Sequence, residues 1–105
     1  VLDVLDVLDF VTAVDRIADR LRALPQSRLR AGAAAEGLAL AREMSVRAQR
    51  LEKPERVPRE MPAAGEFAVG DQVAVAGRDL AEALRAADDA EGLADALALV
   101  RGVRL

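Results

Sequence analysis

The chain contains no His, Cys, Trp or Tyr and only two Phe among its 105 residues. Each absence removes a class of chemistry. Without His or Cys there is no zinc-finger ligand set, no imidazole base, no thiol nucleophile and no disulfide framework. Two aromatic rings do not make a stacking platform for single-stranded nucleic acid. The glycines lie singly at 32, 37, 65, 70, 77, 92 and 102, so neither a Walker loop nor a dinucleotide fingerprint occurs. Long uncharged runs are missing as well. The apolar stretch Val1–Val14 is interrupted by Asp3, Asp6 and Asp9 and has no basic flank before it. It is therefore read neither as a signal peptide nor as a membrane-spanning helix, which needs about 20 largely uncharged residues. No membrane partner is expected, and the cytoplasm is the expected compartment. Val1 in place of Met fits a GTG start codon, a trimmed chain or a fragment.

Lysine is scarce too: Lys53 is the one exception among fifteen cations, the rest being Arg. With the abundance of Ala, Val, Gly and Asp, this reads as the coding bias of a GC-rich bacterial genome rather than Arg-specific recognition. Small and medium aliphatics fill the remaining space, with 23 Ala, 15 Leu and 12 Val. A hydrophobic fraction of 52% is far above that of a disordered chain, and the length suits one domain. The net charge of -3 is unevenly spread: residues 1–26 carry -2, residues 27–60 carry +3 and residues 61–105 carry -4. This balance opposes general nucleic-acid binding, and the central segment is the one place a polyphosphate partner fits.

Periodicity predicts helices. Val7, Phe10, Val11, Val14, Ile17, Ala18, Leu21 and Leu24 recur at three- and four-residue spacing, and Pro25 ends the pattern. Upstream, the triplet VLD occurs three times and drifts around a 3.6-residue helix. Leu5 and Leu8 then fall on the side that carries Thr12, Arg16 and Asp19. Asp3, Asp6 or Asp9 is expected to cap this helix. Leu5 and Leu8 belong either to a frayed start or to a contact with another chain.

Ser27 is the expected cap of a second helix running to Glu52, with Leu29, Ala33, Gly37, Leu40, Met44, Ala48 and Leu51 on one face. Residues 31–41 are apolar nearly all round, which implies contact on more than one side, Leu38 included. Ala33, Gly37, Ala41 and Ser45 form a small-residue ridge that lets a neighbouring helix come close, or an accident of Ala-rich coding. Arg28, Arg42, Arg50 and Lys53 project roughly opposite the apolar face. They form a basic stripe for phosphates or an acidic protein, or an ordinary solvated face.

Pro54, Pro58 and Pro62 space a long loop, read as a crossover. Residues 66–76 alternate like a hairpin, yet Val73, Ala76, Gly77, Leu80, Leu84 and Ala87 continue a helical face. With no other strand to pair, a helix from Asp71 to Ala87 capped by Asp71 is preferred. Asp88 and Glu91 resemble a capping box before a last helix carrying Leu93, Ala96, Leu97, Val100 and Val103.

The fold expected is all-α, an antiparallel bundle of about four helices: 4–24, 27–52, 71–87 and 89–103, with the loop at 53–70. The hydroxyls of Thr12, Ser27 and Ser45 have no base to activate them. Asp88, Asp89, Glu91 and Asp95 cluster near one helix start, more as dipole-matched surface acids than as metal ligands. No cofactor or metal is expected. The leading expectation is a non-catalytic protein that self-associates, as a homodimer, and works through protein–protein interaction. A nucleic-acid regulator using the Arg-bearing second helix is the alternative, and a metal- or cofactor-dependent enzyme comes third.

Overall fold

Proline decides where the first helix stops. In the computed structural model, which describes residues 1–105, helix α1 runs Leu8–Ala23 and breaks at Leu24, whose ψ of 141° is the extended geometry forced on a residue before proline. Its start lies four residues later than the sequence pattern suggests. Asp3 Oδ1 accepts the backbone N–H groups of Leu5 and Asp6, and Asp6 Oδ2 accepts that of Asp3. These aspartates hold a separate turn instead of capping the helix, and no side chain caps α1 at all.

After Pro25 the chain makes a short helical turn, Gln26–Arg28, then a wide π-type turn, Leu29–Ala33, before helix α2, Ala34–Glu52. The single unbroken helix expected here is thus interrupted. Gly32 sits at φ 147°, outside any helical region and rarely open to a residue with a Cβ. Ser27 lies inside the first turn rather than at its cap, because Pro25 already occupies the flanking position.

Helix α3, Val69–Ala87, begins two residues earlier than expected, with Ala68 at its cap. Asp71 is taken by a tertiary contact: Arg22 donates Nε and Nη2 to its Oδ1 at 3.0 and 2.7 Å and Nη1 to Asp19 at 3.0 Å. The hydrogen bond to Asp71 above all, offset in part by desolvation, raises the Arg22 pKa above its ordinary value. Arginine is charged at any working pH, so the cation of this clamp is permanent. Residues 66–76 form no strand.

The turn into helix α4, Ala90–Arg101, is short. Asp88 adopts the left-handed conformation at φ 51°, its N–H donating to the Arg85 carbonyl and that of Asp89 to the Leu84 carbonyl. This pattern closes a helix with two crossed bonds. Asp89, not Asp88, then caps α4 by accepting the Gly92 N–H at 2.8 Å.

Helix α3 is the central element, with α2 along one side and α1 along the other, while α4 rests mainly on α1. Gly70 approaches Ala18 and Arg22, and Gly77 approaches Val14, so α1 and α3 run antiparallel. Between α2 and α3 the antiparallel expectation fails. Gly37 meets Val69 near the start of both helices, and Leu51 shares a hollow with Leu80 and Leu84 near the end of both. They run parallel because the Pro-spaced segment carries the chain back along α2 between them.

That return is pinned by side chains. Gln49 donates Nε2 to the Arg59 carbonyl and accepts the Arg59 N–H through Oε1, Arg42 donates to the Met61 carbonyl, and Gln72 donates to the Pro62 carbonyl. At the far end Glu66 accepts from Gln26 and Arg30. The result is a four-helix bundle with one crossover, its core built from α1, α2, α3 and α4 together. Phe10, Met44, Leu80 and Leu84 are its largest fully buried side chains, and no polar or charged residue is buried with them.

Candidate functional site

The small-residue ridge of α2 lies inside the chain. A Cβ on Gly37 would fall on Val69 Cγ1 and come within 2.8 Å of Leu21 Cδ1, so the close neighbours are α3 and the end of α1. Ala33 and Ala41 are buried and Ser45 is half-buried, its hydroxyl accepting from Gln49. Leu38 is half-buried and lines a small hollow with Ala63, Ala64 and Gly65 of the crossover. The second apolar side of residues 31–41 therefore faces the chain's own return segment. A further set of small residues goes unremarked in the sequence: Gly70, Ala74, Gly77 and Ala81 recur at four- and three-residue steps on α3, all buried. The seven-residue interval between Gly70 and Gly77 was the available signal.

The basic stripe divides. Arg28 donates to the Leu105 carbonyl at 3.4 Å, at one end of the molecule. Arg42 is occupied by the Met61 carbonyl and by Glu60 at 3.5 Å, so it braces the crossover. Arg50 and Lys53 remain exposed, and the loop adds Arg56 and Arg59 beside them. None of the ion pairs within the chain engages these four cations. Lys53, Arg56 and Arg59 border a hollow of about 640 Å³ with Gln49, Glu52, Val57 and Pro58. The loop here forms an arch, tied down at its far foot by the paired Gln49–Arg59 bonds, with Val57 89% exposed at its crown.

Leu5 and Leu8 stand off the core. They are 75% and 51% exposed, and Val4 beside them is 60% exposed, whereas Val7 and Phe10 turn inward. The segment they occupy is held to the rest of the molecule, since the Leu2 N–H donates to Asp88 Oδ1 at 2.7 Å. Asp88 ends α3, and Leu51 of α2 lies near Leu84, Asp89 and Gly92. The apolar segment, the basic arch and the acidic α3–α4 turn thus share one end of the bundle.

Chemistry beyond binding finds little here. Among Asp88, Asp89, Glu91 and Asp95 no three carboxylates gather as ligands would. Asp88 takes the Leu2 N–H and Asp89 caps α4. Thr12 and Ser27 are exposed, without a basic side chain bonded to either. No helix is long and apolar enough to cross a membrane. Neither a family model, nor a curated protein, nor a solved structure matches the chain.

Proposed function

We propose that this protein is a non-catalytic helical module that acts by self-association, as a dimer, and through it in protein–protein interaction. The observation that carries this reading is the exposed run Val4, Leu5 and Leu8 at the start of α1. Three neighbouring aliphatics left in water, on a segment fixed by Asp3, Asp6 and Asp88, form a patch whose covering by another chain is favourable. The absence of His and Cys and the wholly apolar interior agree with a role in contact rather than catalysis.

Sedimentation equilibrium tests it: a mass about twice the 11.2 kDa of the chain is expected in the micromolar range. The double variant Leu5→Gln/Leu8→Gln is expected to sediment as a monomer with an unchanged helical spectrum. A wild-type monomer throughout that range overturns the reading. The free cations Arg50, Lys53, Arg56 and Arg59 favour duplex nucleic acid as a second reading, which predicts binding that falls steeply with salt. No binding at low salt removes it.

A further inference from the structure

The end of the bundle that carries the exposed aliphatics is electrically divided. One part is the arch after α2, where Lys53, Arg56 and Arg59 are unpaired and outnumber the exposed Glu52 and Glu55 interspersed with them, with Val57 standing out at the crown and Arg50 behind it on the side facing Asp89 and Asp95. The other part is the segment before α1 and the start of α4, with Asp3, Asp6, Asp9 and Glu91 exposed and outside any ion pair, Asp9 sharing a hollow with Arg16 and Arg101. The first combines positive charge with an apolar crown, the second negative charge with Val4, Leu5 and Leu8. Each is what the other would bind, yet within one chain no ion pair joins them.

Building on the self-association proposed above, we infer that a second copy of this chain docks end to end here, its residues 3–9 seated on the arch 53–59. Both complementary surfaces lie on the same end, so a two-fold axis forms the contact twice and closes the assembly at a dimer. Were they at opposite ends, the same complementarity would give an open chain of copies. Charge sets the register and excludes the like-on-like arrangement, while Leu5, Leu8 and Val57 lose water. The arch is suited to this because its foot is fixed through the Arg59 backbone and its cationic side chains are left free.

Paired charge reversal tests the contact. Asp9→Arg/Glu91→Arg alters two acids that make no side-chain hydrogen bond or ion pair within the chain, and Lys53→Glu/Arg56→Glu does the same for the arch. Each double variant alone is expected to dimerise at least tenfold more weakly while keeping the wild-type helical spectrum, with a lower melting temperature that follows from the lost dimer and, for the acid reversals, from cations placed in the first turns of α1 and α4. An equimolar mixture of the two is expected to recover a dimer, because the reversed acids of one face the reversed arch of the other. Dimers that ignore both reversals, or folded variants whose mixture stays monomeric, overturn this contact and leave self-association standing. A monomeric wild type overturns both.

Discussion

Gly32 holds the one backbone conformation in the helical lead-in that a side chain would forbid. Nothing lies within 4 Å of where its Cβ would stand, so the constraint is purely that of φ 147°. Gly32→Ala is expected to lower unfolding free energy by roughly 1–3 kcal/mol, read from a denaturant titration with unchanged slope. Gly37 is the opposite case, with helical angles but no room. Gly37→Leu is expected to lower the melting temperature by several degrees, an overpacking cost of roughly 1–3 kcal/mol. An unchanged melting curve would mean that Val69 and Leu21 move aside freely. The sequence makes the crowding at Gly37 legible, since a glycine repeating with Ala33 and Ala41 marks a close approach. It leaves Gly32 illegible, because a glycine inside an alanine run reads as one more small residue. Asp71 and Asp88 depart from the expected caps for a related reason. Both have cap chemistry and cap-like position, and what removes them from the role is a long-range arginine and a left-handed turn.

Among the elements, the crossover is the least regular and the most dependent on side chains. Its backbone has no strand or helix to satisfy it, so Gln49, Arg42 and Gln72 supply the bonds. Three prolines made the loop visible in the sequence, and the crossover reading follows from its length. Its path did not, because the direction of α3 relative to α2 depends on which groove the return segment occupies. That groove is set by a Gln and an Arg that look like ordinary surface residues. Gln49→Ala is expected to strip protection from the Arg59 amide in hydrogen exchange while core amides such as Leu40 and Leu80 keep theirs. Loss of three neutral hydrogen bonds, one to Ser45 and two to the Arg59 backbone, costs about 2–3 kcal/mol at most in a partly exposed setting. Uniform loss of protection across α2 and α3 would instead make the clasp part of the global fold.

The whole molecule measures 43 × 29 × 18 Å between Cα extremes, with a radius of gyration of 13.4 Å. Helices α2 and α3, 19 residues each, span roughly 28 Å at 1.5 Å per residue, and the arch at one end and the turns of residues 26–33 at the other extend the molecule along the same direction. The long dimension is therefore the helix direction, and the end bearing the arch and the apolar segment is a tip of the molecule. This geometry turns the site of dimerisation into a question of shape. Copies joined tip to tip give a particle approaching twice 43 Å in length, whereas copies joined along α1 or α3 keep a length near that of one chain. Small-angle X-ray scattering of the dimer separates the two without any substitution. The tip contact predicts a maximum dimension well beyond one chain's length and a skewed distance distribution with a long tail. A symmetric distribution ending near the monomer's own length would place the contact on a flank, where the exposed Phe67 and Val75 provide the remaining large apolar side chains of the crossover's end and α3. Raising ionic strength sharpens the distinction, because exposed charges across the tip are screened over about 10 Å at moderate salt. The elongated species is expected to dissociate as salt rises, while a flank contact made by Phe67 and Val75 would hold.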